Sequence, residues 1–512
     1  MTSPSRSAEL PGRPVSLWLD GSTAEPRPPL ERDIDADVAV LGAGIVGATA
    51  ALAVARGGAR TVLLEARRVG EGVSGNTTAK LSSLHGLTYA SLRSGVGDEA
   101  ASAYARANED GITRIFELAR ELGIECDLRR KPNFTYTESE DERGAIEDEV
   151  AAATELGLPA SYSDETDLPF EVAAAVRFDD QAEFQPYRYV HGLVEAAERE
   201  GCLVFEGTRA TGLDDGGVRT ANGPKVRAER VIVATHIPFL DRGLFFARTH
   251  PERSYAIAVR APRAALDGMY ISAGSPVRSL RSHPVEGEEL LIVAGESHRV
   301  GASDEADRYL RLEAFARECF EADTVEHRWS AQDNMPEDGL PFVGRLVPFS
   351  DRALVVTGLR KWGLAMGTSA AEIVAATALG GPSASGGAFR PERFHPRAAG
   401  RELLTHNAHS GLRFVTDRVT RRESADGIAP GEGRVVGSGV GQAAVYRDER
   451  GVVHELSARC THLGCIVAWN AAERSWDCGC HGSRFAALGD VIHGPATAPL
   501  LRRGPFGGDD RG

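Results

Sequence analysis

The sequence predicts an α/β domain of Rossmann type, a mixed α+β domain interleaved with it, and a small all-β domain at the C-terminal end. Three observations carry this reading. A strand, a glycine-rich turn, an Ala-rich helix and a second strand follow one another between residues 37 and 65. Helix and strand patterns then alternate until a buried strand and another Ala-rich helix close the unit near residue 379. Beyond a Gly/Ser/Pro-rich break, short strand patterns surround two loops that pair cysteine with histidine.

The bulk numbers agree. A chain of 512 residues calls for two or three domains. With 42% hydrophobic and 26% charged residues it has an ordinary globular balance. A formal net charge of −15 makes nucleic acid and anionic membrane surfaces poor partners. No apolar run reaches the roughly 18–20 residues of a membrane span. Residues 1–14 are polar, with neither an apolar core nor a twin arginine. A cytoplasmic protein is therefore expected, not an anchored subunit.

In chain order, residues 1–33 are rich in Pro, Ser and Arg, with one apolar patch at Leu17-Trp18-Leu19. They predict a flexible start and a segment that packs Trp18 on the body. Residues 37–41 form a short apolar strand that runs into Gly42-Ala43-Gly44-Ile45-Val46-Gly47 and a helix to about residue 55. Residues 61–64 form the second strand, ending at Glu65. This is G-x-G-x-x-G in the setting its chemistry needs. Gly42 makes the turn, Gly44 admits a pyrophosphate, and Gly47 packs helix on strand. The helix N-terminus faces the phosphates, and Glu65 accepts from ribose hydroxyls. An acid there repels a 2′-phosphate, so NADP is disfavoured. FAD and NAD both remain open at this point.

The next stretches narrow the choice. Gly75-Asn76-Thr77-Thr78-Ala79-Lys80 begins a Ser/Thr/Gly-rich loop that runs on to His85 and Gly86. Residues 90–157 read as helical with a strand near 133–138, and a helix runs from Pro186 through Glu200. Strands follow near Val204 and Ala210 and at Val231-Ile232-Val233-Ala234-Thr235. Residues 256–259 and 290–293 read as strands, with a helix over 309–320. Then come Asp338-Gly339-Leu340-Pro341-Phe342-Val343-Gly344, a buried strand at 354–358, and Trp362-Gly363-Leu364-Ala365-Met366-Gly367 opening the last helix.

On these motifs, residues from about 36 to 380 resemble the D-amino-acid oxidase superfamily of FAD enzymes, which includes sarcosine and glycine oxidases. The resemblance implies an α/β FAD-binding Rossmann-type domain from parts near 34–90, 187–240 and 335–380. A mixed α+β substrate domain would come from 91–186 and 241–334. It implies that Asn76, Thr77, Thr78 and Lys80 lie in the loop that wraps the pyrophosphate and approaches the flavin. Thr208 to Ala210 would form a second contact on the adenine side, and His236 stands where the family usually has glycine. The helix that Gly363 and Gly367 open would aim its positive end at the flavin pyrimidine and stabilise anionic reduced flavin. Lys80, His85, Lys361 and Trp362 become flavin-face candidates. Each also has a plain reading: a surface lysine, a packing histidine, a lysine at a helix start and a packed tryptophan. No catalytic base is nameable. With no cysteine near the expected flavin edge, non-covalent FAD is expected.

Residues 381–431 read as linker and tether, with helix near 398–404 and 412–421. The C-terminal domain spans about 432–505, with strands at 434–436 and 443–446. Its loops read Cys460-Thr461-His462-Leu463-Gly464-Cys465 and Cys478-Gly479-Cys480-His481-Gly482-Ser483. The skeleton is C-x-H followed by C-x-x-H, so each loop offers one thiolate and one imidazole. That is the Rieske [2Fe–2S] donor set. A zinc site uses the same ligand types, but zinc knuckles usually place both sulfurs together. The paired loops resemble the Rieske proteins of cytochrome bc complexes and imply a C-terminal all-β Rieske domain. The same resemblance implies ligands Cys460, His462, Cys478 and His481, a Cys465–Cys480 disulfide, and Ser483 donating to a cluster sulfur. Gly479 stands in place of a proline and Phe485 in place of a hydrogen-bonding tyrosine, which implies a lower potential. Gly494-Pro495-Ala496 resembles the proline loop over the cluster. Cys126, Cys202 and Cys319 read as plain thiols.

The pairing of the two parts resembles bacterial FAD-dependent oxidoreductases of the amine or amino-acid oxidase type with a C-terminal Rieske domain. It implies that an amine or amino-acid substrate loses a hydride to FAD. Electrons then leave singly through the cluster to a one-electron acceptor protein or a quinone-like acceptor. Electron flow in the opposite direction and a non-catalytic redox module are the alternatives. A Rieske oxygenase is disfavoured, because no two-His, one-carboxylate iron set is evident.

Overall fold

A computed structural model describes residues 10–301, 304–381, 387–395, 427–438 and 441–503. The strand Ile34–Leu41 lies at the centre of the first sheet, parallel to Thr61–Leu64 on one side and to Lys225–Val233 on the other. Leu203–Phe205 and Ala353–Thr357 extend the parallel set outward. Val38 to Leu41 and all of Thr61–Leu64 are buried, as a sheet covered on both faces requires.

The fingerprint helix Ile45–Arg56 packs between the helices Pro186–Arg199 and Ala365–Ala378. Its alanines permit that crowding. A Cβ on Gly47 would stand 1.7 Å from the Gly42 carbonyl oxygen, so only glycine lets helix and turn meet. Gly111 serves the same end on the helix Asp98–Leu122, where a Cβ would lie 2.0 Å from Ala365 O. That helix falls in the stretch expected to form the substrate domain, yet its buried side joins the core of the nucleotide-binding part. The reason is burial: alanines at 100, 101, 105, 107 and 119 give it a narrow face that fits against another Ala-rich helix.

The second sheet forms a roof. Its longest strands, Thr249–Arg260, Thr324–Pro336 and Glu288–Arg299, are antiparallel. Along Thr249–Arg260 the period of two divides the side chains. Tyr255, Ile257 and Val259 pack with Tyr309, Leu312, Ala316 and Phe320 of the covering helix Glu305–Phe320. Ser254 and Ala256 face a cavity between the sheets.

Trp18 is buried, and its Nε1 donates to Thr77 O at 2.6 Å, so the N-terminal segment packs on the loop that follows the second strand. Residues 387–395, within the expected linker, are also held. Phe389 O accepts from Val343 N at 2.8 Å, and Arg393 donates to both Asp338 oxygens at 2.7 and 2.9 Å. The helices expected near 398–404 and 412–421 lie outside the described residues.

The C-terminal domain is two small antiparallel sheets. One holds Gly433–Val436, Ala443–Arg447 and Val453–Ser457. The other holds Val467–Asn470, Ser475–Cys478, Arg484–Ala486 and Val491–His493. Val435, Leu456, Trp476, Phe485 and Leu500 form its core beside four cysteines. It docks against the roof sheet. Buried Arg253 donates to Asp477 Oδ2 at 2.5 Å and to Gln332 Oε1 at 3.0 Å, and Gln332 Nε2 donates to Gly482 O at 2.8 Å. Burial opposes the Arg253 charge, but Asp477 and Glu473 outweigh it and hold the guanidinium protonated. Among the described residues no helix is long and apolar enough to cross a membrane.

Candidate active site at the domain junction

A cavity of about 520 Å³ opens where the two sheets and the C-terminal domain meet. The fingerprint forms one end. Gly42 has φ +95°, and a Cβ there would stand 2.6 Å from Ala234 O. Gly44 precedes the helix and lines the cavity, and Ser74 Oγ accepts from Ile45 N at 3.0 Å. The Glu65 carboxylate accepts from Ala43 N at 2.8 Å and from Arg67 N at 2.9 Å, which braces the turn while the side chain borders the cavity. Thr77, Thr78 and Ala210 line the same space. These small residues at a helix N-terminus leave room for a pyrophosphate, with an acid placed for ribose, so the chain fits FAD at this end.

Gly47 and Gly367 do not line the cavity. A Cβ on Gly367 would meet Val46 Cγ2 at 3.0 Å, so Gly367 sets how closely two helices approach, while Gly47 lets the helix meet its own turn. Gly363 does line it, beside Trp362 and Lys361. Lys361 has φ +70°, and its Nζ lies 2.9 Å from both Ser297 Oγ and Glu252 Oε2. Lys80 borders the cavity but is buried, and its ammonium donates to Tyr270 O. Burial, reinforced by Arg281, pushes its pKa well below the usual lysine value. His85 is absent from the cavity wall. Its Nδ1 meets Tyr104 OH at 2.8 Å, its Nε2 meets Ser82 O at 2.7 Å, and its ring stacks on Trp362 at 4.5 Å. It therefore stands behind Trp362, which does line the cavity.

Sequence patterns did not single out Glu252, Ser254, Ser297 or Asp333 on the roof, because they come from three strands distant in sequence with no shared motif. They also missed the C-terminal domain's share. His493, Gly494, Ala496 and Thr497, in and beside the proline loop, line the same cavity as the fingerprint. His236 Nδ1 lies 3.3 Å from His493 Nε2 across the junction. Arg209 donates to Val491 O at 2.9 Å nearby.

The cysteine–histidine loops face each other. Cys465 and Cys480 form a disulfide with Cα atoms 6.6 Å apart. Cys460 and Cys478 are free, buried thiols. Cys478 Sγ lies within 4.8 Å of the two disulfide sulfurs, but a disulfide supplies no thiolate, so those three sulfurs are not a metal site. The His462 and His481 ring centroids are 5.2 Å apart, and both rings meet Phe246 edge-on. Among the described residues His462 Nδ1 is buried without a hydrogen-bond partner, while its Nε2 lies 3.0 Å from Asp241 Oδ1. An orphaned ring nitrogen beside two buried thiols suits a [2Fe–2S] cluster held by Cys460, Cys478, His462 and His481. Ser483 Oγ accepts from Ala496 N at 3.1 Å, which ties the second ligand loop to the proline loop.

Comparisons with known proteins agree with both halves. Residues 37–377 match the family model of FAD dependent oxidoreductases (DAO), and residues 422–503 match the Rieske [2Fe-2S] domain. The chain is 32% identical over 493 residues to YhfW of Bacillus subtilis (strain 168), described as a Rieske 2Fe-2S iron-sulfur protein. That similarity covers 95% of this chain and 97% of the relative. A 45-residue stretch is 60% identical to the cytochrome b6-f complex iron-sulfur subunit of a Synechococcus species, covering 9% of this chain and 26% of that one. Among solved structures, glycine oxidase from Geobacillus kaustophilus superposes with a TM-score of 0.58 at 20% identity, covering 70% of this chain and 99% of that one.

Proposed function

Because the chain belongs to the FAD-dependent oxidoreductase family and carries a C-terminal Rieske domain, we propose that it dehydrogenates a small amine or amino-acid-like substrate and passes the electrons singly to an acceptor. The observation that carries this reading is the shared cavity: His493, Gly494, Ala496 and Thr497 of the Rieske domain line the space that the nucleotide fingerprint opens. Two domains joined only for stability would not need a common wall there.

When bound, FAD supplies a two-electron acceptor and the cluster a one-electron carrier, so each substrate molecule requires two passages through the cluster. The chain's own residues arrange the exchange. The roof strands Thr249–Arg260 and Glu288–Arg299 line one side of the cavity. The N-terminus of Ala365–Ala378, beside Trp362 and Gly363, offers a positive dipole end to charge that develops nearby. Arg253 and Gln332 hold the Rieske domain against the roof. The solved amino-acid oxidase neighbours support the amine or amino-acid class.

Anaerobic stopped-flow mixing of the holoenzyme with amines, amino acids and NADH tests the direction. The flavin band should bleach with an amine or amino acid before the cluster's reduced electron-spin signal appears. Cluster reduction ahead of the flavin would reverse the direction. Absence of turnover with every donor would leave only a redox module.

A further inference from the structure

The roof carries two carboxylates with different surroundings. Thr249–Arg260 and Thr324–Pro336 pair antiparallel, and Glu252 stands directly opposite Asp333 in the register. Both line the cavity. Glu252 Oε2 accepts from Lys361 Nζ at 2.9 Å, and its Oε1 lies 3.4 Å from His250 Nε2. Burial opposes its ionisation, but the His250 hydrogen bond and the Lys361 charge prevail and hold its pKa well below the usual carboxylate range. Asp333 is only 7% exposed. Among the described residues its carboxylate receives no hydrogen bond, and its one basic neighbour is His236, with Nε2 at 3.9 Å.

The cations nearby are engaged. Lys361 is shared between Glu252 and Ser297. Lys80 is turned to the Tyr270 carbonyl, and burial disfavours its charge. Arg67 and Arg209 line the cavity beside Glu65 and Ala210, at the nucleotide end. A substrate carboxylate brought under the roof would therefore meet Asp333 with only the His236 imidazole, 3.9 Å away, to offset it, a costly arrangement beside a buried carboxylate. An ammonium group would meet the carboxylate that, among the described residues, no lysine or arginine holds.

We propose that Asp333 binds the ammonium group of the substrate, and that the substrate is a cationic amine with no carboxylate on the reacting carbon. This rests on the amine-oxidation reading above and names its substrate class.

The test is an anaerobic titration of the holoenzyme, read by perturbation of the flavin spectrum, with tetramethylammonium as a cation probe and acetate as a carboxylate probe. Tetramethylammonium should bind, Asp333→Asn should weaken it at least tenfold, and Asp333→Glu should restore most of the affinity. Acetate should bind only once Asp333 is neutralised. FAD content and thermal unfolding of each variant confirm that it folds. Acetate binding the native enzyme more tightly than the cation would overturn the proposal, as would an Asp333→Asn variant with unchanged cation affinity. The two readings also fail separately. Flavin reduction by α-amino acids but not by simple amines would sink the role of Asp333 and leave amine oxidation standing. If neither class reduces the flavin, the oxidation reading falls, and the tetramethylammonium titration still judges Asp333.

Discussion

His85 shows how one buried side chain can serve a site it does not touch. Both ring nitrogens are satisfied inside the fold, and the ring supports Trp362 from behind. Burial lowers its pKa to about 3, against about 6.5 in an unfolded chain, so the folded protein holds it neutral. A folded pKa below the unfolded one means that its contribution is complete above about pH 6.5 and is lost as the pH falls from there toward 3. The loss approaches about 1.4 kcal/mol per pH unit at its steepest. Thermal unfolding between pH 7 and 5 should therefore be less acid-sensitive in His85→Gln than in the native protein. Equal slopes would show that the imidazole already titrates normally.

At the scale of elements, the pair formed by Thr249–Arg260 and Thr324–Pro336 works on two faces. Glu252 and Asp333 look into the cavity, while the next residues in register, Arg253 and Gln332, look out to the Rieske domain. Strand alternation alone sends neighbours to opposite sides. Removing Arg253 would strand Asp477 and Glu473 without one of their cations, although Arg484 still reaches both. Breaking a buried pair of this kind costs about 3–5 kcal/mol, and the remaining Arg484 contacts place the expected loss near the lower figure. In Arg253→Met, hydrogen exchange across Ser475–Cys478 should accelerate while the strands at the nucleotide end stay protected. Unchanged exchange in Ser475–Cys478 would mean that the ion pair does not hold the domain.

The whole molecule is an FAD domain and a Rieske domain with separate cores that share one cavity wall. Separate cores mean that one cofactor should be removable without the other. Cys460→Ala should lose the cluster, keep FAD, and still bleach when an amine substrate is added. Turnover with a one-electron acceptor should fall to background in the same variant. Retained acceptor turnover would show that electrons leave the flavin by another route.

Much of this was legible in the chain itself, and the reason is locality. The fingerprint at Gly42, Gly44 and Gly47, the acid at Glu65, and the loops from Cys460 to Ser483 each keep their residues within a short run, so spacing alone carries the geometry. The tertiary structure alone decided what depends on strands distant in sequence. His85 is kept out of the cavity wall because its ring is held behind Trp362, some 277 positions further along the chain. Gly367 proved to be a packing residue because Val46 lies against it. Glu252 met Asp333, His236 met His493, and Asp241 met His462 only once the sheets had paired and the C-terminal domain had docked. A local pattern can announce that a turn will hold a dinucleotide. The pairing of the Glu252 and Asp333 carboxylates comes from a register between strands, and register is set by the packing of the whole fold.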